Sequence, residues 1–227
     1  MPPFWSGPPA SDAMPGARLV DFSLYLITDR QALPPGRRLE EVVAAACRGG
    51  VGAVQLREKD LGARELYPLA CRLRDLTAAC GARLLINDRI DLALAVEADG
   101  VHLGGQSLPT AVVRHLLGPA RLIGVSTHHP DEIRAAHHNG ADFVTFGPVY
   151  ATPSKAAFGP PQGLVALRAA CRAAPLPVFA LGGITAERVP AVRAAGARGI
   201  ALIRAILGAV DAQQAARSLR EPYRPQP

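Results

Sequence analysis

Short apolar runs rich in β-forming residues recur along the chain, and each is followed by a stretch with helical periodicity. The clearest helical stretch places Leu66, Leu69, Ala70 and Leu73 along one stripe. The predicted strands are Ser23 to Thr28, Ala53 to Arg57, Arg83 to Asn87, Gly100 to Leu103, Leu122 to Ser126, Phe143 to Gly147, Val178 to Gly182 and Gly199 to Ile203. This alternation of strands and helices is typical of an α/β protein.

Several of the predicted strands are apolar on both faces, which indicates a parallel sheet covered by helices. Arg83 to Asn87 and Val178 to Gly182 are examples. Uninterrupted strand and helix units, repeated through the chain, favour closure into a single (β/α)8 TIM barrel. An open, doubly wound parallel sheet is the alternative fold.

Length and composition indicate one folded domain. The chain has 227 residues, of which 49% are hydrophobic, enough for one substantial core. Proline is frequent near both ends, so we expect flexible tails at residues 1–18 and 218–227. The barrel, which would be the catalytic domain, is expected to span residues 19–217.

The charge balance favours anionic small molecules as partners. The formal net charge is +6, but the sequence has neither a dense Lys/Arg run nor a basic stripe interleaved with aromatic residues, so nucleic acid is not expected to bind. No apolar run approaches the ~20 residues needed to span a bilayer, and the N-terminus lacks a signal-peptide pattern. We therefore expect a cytoplasmic protein without membrane contact, and the sequence leaves homo-oligomer formation open.

In a barrel of this type the active site lies at the carboxyl ends of the strands. At the end of the second predicted strand, Gln55, Arg57 and Lys59 alternate, so their side chains would share one side of an extended segment. Two positive charges and an amide suit a diphosphate group. Alternatively, Arg57 and Lys59 are surface charges that pair with Glu58 and Asp60.

Asp88 follows the third predicted strand and could hold Mg²⁺ there. This ion commonly takes one or two protein carboxylates and completes its coordination with water and substrate phosphate oxygens. Alternatively, Asp88 caps the helix that follows. At the end of the fifth strand, Ser126 is a better candidate for ligand contact than His128 or His129, which sit where the helix begins.

Two loops near the end of the barrel could bind phosphate. The segment from Gly147 to Lys155 is longer than the ~2 to 6 residues of an ordinary strand–helix turn and carries two hydroxyls beside a lysine. It is interpreted as a phosphate-contacting lid, and a purely structural loop is the alternative. Gly182 and Gly183 follow the seventh strand and Arg204 follows the eighth, the position where many barrels bind phosphate.

These strand ends together resemble the thiamine phosphate synthase family and its thiazole tautomerase relatives. The resemblance covers about Leu24 to Leu207 and rests on seven motifs in order. They are Leu24-Tyr-Leu-Ile-Thr-Asp29, Gln55-Leu-Arg-Glu-Lys59, Ile86-Asn-Asp-Arg89, Gly100-Val-His-Leu-Gly104, Gly124-Val-Ser-Thr-His128, Phe146-Gly-Pro-Val-Tyr-Ala-Thr-Pro-Ser-Lys155 and Leu181-Gly-Gly-Ile184.

The resemblance implies a transferase that condenses a hydroxymethylpyrimidine diphosphate with a thiazole phosphate, with Mg²⁺ as cofactor and a dissociative mechanism. It implies catalytic roles for Lys59, Ser126 and Lys155. The implied pyrimidine diphosphate site is Gln55, Leu56, Arg57, Glu58, Lys59, Asn87, Ser126 and Lys155. The implied thiazole phosphate site is Thr152, Pro153, Ser154, Gly183, Ile203 and Arg204.

The chain departs from the family pattern at two positions. Asp88 is the implied metal ligand, but Ser107 stands where the synthases carry a second metal-binding aspartate, which weakens the metal site. Arg204 stands where they usually have serine, which could strengthen phosphate binding. Loss of the aspartate also fits the thiazole tautomerases, which resemble the chain at His128. We favour a synthase over a tautomerase or a non-catalytic phosphate-binding relative.

Overall fold

The computed structural model describes residues 20–152 and 160–223, and its centre is a closed barrel of eight parallel strands. The strands are β1 (Leu24–Ile27), β2 (Ala53–Leu56), β3 (Arg83–Asn87), β4 (Gly100–Leu103), β5 (Leu122–Thr127), β6 (Phe143–Phe146), β7 (Val178–Leu181) and β8 (Gly199–Leu202). They pair in chain order, and β1 also pairs with β8. The predicted (β/α)8 barrel is therefore confirmed, and the open sheet is wrong because it would leave two unpaired edges.

Helices lie between the strands and cover the outside of the barrel. They are α1 (Leu39–Arg48), α2 (Ala63–Ala79), α3 (Ile90–Ala95), α4 (Thr110–Leu117), α5 (Pro130–His138), α6 (Gly163–Ala173), α7 (Val189–Ala194), α8 (Arg204–Leu207) and α9 (Ala212–Arg220). The stripe on α2 expected from the sequence, including Leu66, Leu69 and Leu73, is buried. Apolar periodicity thus fixes which face of the helix meets the sheet.

Two hydrophobic clusters divide the core. The larger lies between strands and helices, and the smaller fills the barrel interior. Within the smaller cluster, Phe22 packs against Phe143 and Phe179 with ring centroids 5.5 and 5.1 Å apart. Phe22 precedes β1 and Phe143 begins β6, so these rings close the barrel near the amino ends of its strands. The carboxyl ends are left for polar side chains.

The last helix extends the ordered chain beyond the boundary expected at residue 217. Ala212, Ala216 and Leu219 are buried, and Ala216 lies so close to Gly49 that a Cβ at that glycine would collide with it. Burial of Leu219 holds the end of α9 against α1, which proline content alone did not indicate. The whole expected N-terminal tail, residues 1–18, and residues 224–227 of the expected C-terminal tail lie outside the described residues. Within the described ranges, no helix has the length and apolar character needed to cross a bilayer.

Candidate active site

A layer of polar side chains occupies the barrel interior above the aromatic rings. Strand residues alternate between facing the helices and facing the interior, and the inward register of Tyr25 and Leu85 continues to Asn87. Across the ladder, Asn87 pairs with His102, and Ser126 pairs with Thr145. The barrel therefore brings residues from separate strands to one mouth.

The end of β2 carries the buried amide of Gln55 and, two residues later, the partly exposed cation of Arg57. Gln55 is only 1% exposed, and its Nε2 has no hydrogen-bond partner among the described residues. The backbone N–H of Arg57 donates to Thr28 Oγ1 at 2.9 Å, which fixes the strand end against β1. Such a buried, unpaired amide at a strand end is a group that a ligand can satisfy.

Arg30 forms ion pairs with the two acidic side chains near the end of β2, Glu58 and Asp60. Glu58 Oε2 accepts from the Arg30 backbone N–H at 3.1 Å and from its Nε at 3.3 Å, while Asp60 accepts from its Nη2 at 2.9 Å. In residues 20–152 and 160–223, neither Arg57 nor Lys59 forms a salt bridge with these acids. The surface pairing considered from the sequence is therefore not observed, and Arg30 leaves both cations available.

Asp88 has a left-handed backbone, with φ 60°, directly after β3. Its carboxylate accepts from Asn87 Nδ2 at 2.7 Å and from the Ser107 hydroxyl, and Ser107 Oγ in turn accepts from the Gly104 N–H at 2.6 Å. Arg89, not Asp88, occupies the cap position of α3 and makes no side-chain cap. The helix-capping alternative is thus wrong, and Asp88 is held beside Ser107.

His102, in β4, forms hydrogen bonds with side chains of β1 and β5. The ring is buried, and its Nδ1 lies 3.2 Å from Tyr25 Oη while its Nε2 lies 3.0 Å from Ser126 Oγ. Burial lowers the pKa of His102 to about 3, the Asp88 charge opposes this shift and the Arg57 charge adds to it. Leu56 pairs with Ile86 at the ends of β2 and β3, so Arg57 and Asp88, which follow these strands, lie at the same mouth.

The loop after β6 contacts the glycine turn after β7. Gly183 has φ 61°, and an added Cβ there would meet Ala151 O and Tyr150 within 3.0 Å. The Arg188 guanidinium lies 4.4 Å from the Tyr150 ring centroid and donates to Gly183 O at 2.5 Å. Thr152 is partly buried in this loop, whereas the predicted site residues Pro153, Ser154 and Lys155 lie outside the described residues.

The eighth strand end lies beside this turn because β7 and β8 are paired, Leu181 opposite Ala201. Ile203 is partly buried against the interior cluster, and Arg204 is exposed at the start of α8. In contrast, His129 caps α5, since its Nδ1 accepts from the Asp131 N–H at 3.3 Å. The preference for Ser126 over the two histidines as a ligand contact stays a prediction.

Sequence reasoning noted His102 at the end of the fourth strand without giving it a role, and it did not single out Tyr25, Arg30 or Arg188. His102 had a signal, because its alternation with Val101 and Leu103 in β4 turns it inward in a closed barrel. The partners of Arg30 and Arg188 are set by loop geometry, for which local sequence gives no comparable signal.

Comparisons with known proteins agree with this architecture. The family model described as thiamine monophosphate synthase matches residues 24–206. A relative from Geobacter sulfurreducens is 58% identical over 200 residues, covering 88% of this chain and 93% of its own. The thiamine-phosphate synthase of Moorella thermoacetica is 46% identical over 203 residues, covering 89% and 96%. The solved thiamine phosphate pyrophosphorylase from Pyrococcus furiosus superposes with a TM-score of 0.80 at 37% identity, covering 88% of this chain and 95% of that one.

Proposed function

The chain belongs to the thiamine monophosphate synthase family, and from this premise we propose that it acts as a thiamine-phosphate synthase. This transferase joins 4-amino-2-methyl-5-hydroxymethylpyrimidine diphosphate to hydroxyethylthiazole phosphate or its carboxylated form. The bond between the pyrimidine methylene and the diphosphate oxygen breaks, a bond to the thiazole nitrogen forms, and diphosphate leaves. The observation that carries the proposal is the buried, unpaired Gln55 amide at the end of β2, on the strand paired with β3, whose end carries Asp88 held by Ser107.

The pyrimidine diphosphate is proposed to bind along the ends of β2, β3 and β5. Arg57 and Lys59 suit its phosphates because the neighbouring acids Glu58 and Asp60 pair with Arg30 and not with these two cations. The unpaired Gln55 amide supports a polar ligand above it. The full proposed set is Gln55, Leu56, Arg57, Glu58, Lys59, Asn87, Ser126 and Lys155.

Mg²⁺ is proposed to bind at Asp88 with Ser107 as a neutral neighbour. Asp88 Oδ1 and Ser107 Oγ are in contact in the structure, and a carboxylate with a hydroxyl suits this hard cation. The described residues contain no cluster of three His, Cys, Asp or Glu that could enclose a metal by themselves. A site with one carboxylate therefore fits an ion shared with substrate phosphate oxygens, where it would offset the charge of the departing diphosphate.

The thiazole phosphate is proposed to bind between the loops after β6, β7 and β8. The close contact of Gly183 with Tyr150 and Ala151 supports a joint site, because backbone N–H groups of adjacent loops can approach one anion. Arg204, exposed beside this turn, adds a positive charge. The proposed set is Thr152, Pro153, Ser154, Gly183, Ile203 and Arg204.

The residues of the mouth suit a dissociative reaction. Lys59 and Lys155 are proposed to stabilise the negative charge that develops on the leaving diphosphate, as fixed cations do in a site partly shielded from water. A pyrimidine methylene cation must meet no competing nucleophile. Both ring nitrogens of His102 are engaged in hydrogen bonds, with Tyr25 and Ser126. Ser126 is proposed to orient the pyrimidine for attack by the thiazole.

One incubation tests this function. The purified chain is mixed with pyrimidine diphosphate, thiazole phosphate and Mg²⁺, and thiamine phosphate and diphosphate are followed together. We expect both to form in equal amounts. Isomerisation of the thiazole carboxylate phosphate without diphosphate release would instead establish a tautomerase, and binding of both substrates without turnover would establish a non-catalytic relative.

A further inference from the structure

Four side chains form a row of hydrogen bonds across the polar layer of the barrel. Tyr25 contacts His102, His102 contacts Ser126, and Thr145 Oγ1 lies 3.5 Å from Ser126 Oγ. We propose that this row fixes Ser126 as a hydrogen-bond donor toward the bound pyrimidine, with Tyr25, His102 and Thr145 as positioning residues. The inference deepens the proposed function and, for the identity of the ligand, rests on it.

The direction of the first bond follows from the burial of Tyr25. Its side chain is completely buried, burial raises the pKa of the phenol well above its usual value, and His102 is its hydrogen-bond partner. If His102 Nδ1 carried the proton, the phenolic O–H would have no acceptor in the described part of the chain. An unsatisfied buried donor is costly, so the phenol donates to Nδ1.

The second bond then has only one direction. The imidazole is neutral because it is buried without a carboxylate hydrogen-bonded to either nitrogen, so one nitrogen carries a proton and the other accepts. With Nδ1 accepting from Tyr25, the proton is on Nε2. His102 therefore donates to Ser126 Oγ, because the bond made by one ring nitrogen sets the role of the other.

Thr145 lies near the Ser126 hydroxyl on the neighbouring strand β6. It is 1% exposed, and its Oγ1 lies 3.5 Å from Ser126 Oγ, at the outer limit of hydrogen-bond distance. His102 Nε2, at 3.0 Å, therefore makes the shorter bond and uses one lone pair of Ser126 Oγ. Ser126 is partly exposed at the mouth, so its own proton can turn from the distant Thr145 hydroxyl to a bound ligand.

Packing holds the imidazole in this orientation. Gly124 faces His102 across β4 and β5, and an added Cβ there would lie 2.5 Å from His102 Nδ1. Tyr25 and Phe143 flank the ring, with centroids 5.7 and 5.9 Å from it. This close packing prevents the His102 ring from flipping, so each nitrogen keeps its hydrogen-bond partner.

The consequence is a rule for substrate choice at this position. A donating Ser126 favours a heterocycle that presents an unprotonated ring nitrogen and disfavours one that presents an N–H there. A pyrimidine ring offers such a nitrogen. A site that hydrogen-bonds a particular polar atom rejects analogues that lack it, because the protein group is then left unpaired.

The ligand-free protein provides the first test. Long-range ¹H–¹⁵N spectra of ¹⁵N-histidine-labelled protein report which ring nitrogen of His102 is protonated, with the assignment made from a His102→Asn sample. We expect the Nε2–H form. In Tyr25→Phe the Nδ1 signal should move toward that of an acceptor without a hydrogen bond. The matched control is Thr127→Val, which removes a buried hydroxyl bonded to Thr145 O and should leave the His102 signals unchanged.

An Nδ1–H form or a doubly protonated ring in the wild-type protein would overturn the proposal. So would a Tyr25→Phe spectrum identical to that of the wild type. These spectra need no substrate, so they stand apart from the proposed function. If the Nε2–H form is found but no pyrimidine diphosphate binds, the hydrogen-bond order is supported and the proposed function is wrong.

A binding comparison tests the specificity rule. The probes are hydroxymethylpyrimidine diphosphate and two pyridine analogues, each with one ring nitrogen replaced by C–H. For one analogue we expect the wild-type chain to bind about tenfold more weakly than the parent, the effect of one hydrogen bond. In Ser126→Ala this difference should disappear. Equal binding of all three probes by the wild type, or a difference that persists in Ser126→Ala, would contradict the rule.

Discussion

A single methyl group at Gly124 is predicted to disturb both the stability and the active site of the barrel. Gly124 lies in β5, opposite His102 on β4 and Phe143 on β6. An added Cβ would come within 3.0 Å of both side chains, closer than real Cβ contacts allow. The rings cannot move away easily, because they lie in the aromatic cluster that fills the barrel.

Two opposing effects set the change in the free energy of unfolding for Gly124→Ala. Overpacking a well-packed core costs about 1–3 kcal/mol, whereas replacing glycine by alanine at a compatible position recovers about 0.4–1 kcal/mol through the unfolded chain. We expect Gly124→Ala to lower the free energy of unfolding by about 1–2 kcal/mol, or the urea midpoint by about 0.5–1 M for an m-value of about 2 kcal/mol/M. Turnover should fall as well, because His102 positions Ser126.

Urea denaturation followed by circular dichroism measures this effect. Gly105→Ala is the matched control, since no heavy atom lies within 4 Å of a Cβ added there. The control should unfold at or slightly above the wild-type midpoint. If Gly124→Ala unfolds at the same urea concentration as Gly105→Ala, the packing account of the polar row is refuted.

Three further predictions concern the mouth of the barrel. Asp88→Asn removes the carboxylate, so turnover should fall by at least about 100-fold. Asparagine tolerates the left-handed backbone, so the free energy of unfolding should change by no more than about 0.5 kcal/mol. Comparable losses of turnover and of stability would remove Asp88 from the metal site. Ser107→Asp places a second carboxylate beside Asp88, so the thermal unfolding midpoint should rise more with added Mg²⁺ than in the wild type, and an unchanged response would contradict the proposed placement of the ion. The pKa of His102, about 3 in the folded chain, lies below that of unfolded histidine, so its contribution to stability is present above pH ~6.5 and is lost as the pH falls toward 3. Between pH 7 and pH 5 we expect the free energy of unfolding to fall by about 2 kcal/mol in the wild type, and this loss should be absent in His102→Asn. Identical pH profiles of the two proteins would show that the ring is not buried in its neutral form.

The strands could be predicted closely because their signal is local. Apolar runs such as Arg83 to Asn87 end at polar residues, and the structure gives this strand the same bounds. The C-terminal end was harder, because burial of Leu219 depends on α1, which is distant in the sequence. Proline content correctly marked a change in composition but could not show which residues pack.

The positions of the candidate site residues could be predicted where they end a strand, whereas hydrogen-bond partners from distant loops could not. Arg57, Asp88 and Ser126 could be placed at the mouth because the carboxyl ends of parallel strands meet there. The role of Arg30 required knowing that its loop approaches Glu58, 28 residues away. Likewise, the bond between Tyr25 and His102 depends on barrel closure and register, which the alternation within β1 or β4 does not specify.

The central claim is that one mouth gathers the groups that hold diphosphate and Mg²⁺. A crystal structure of the chain soaked with the pyrimidine diphosphate and Mg²⁺ measures this directly. The account predicts phosphate oxygens at Arg57 and Lys59, the ion at Asp88, and the pyrimidine ring within hydrogen-bond distance of Ser126. A diphosphate bound on the outer helical surface, or an ion remote from Asp88, would contradict it.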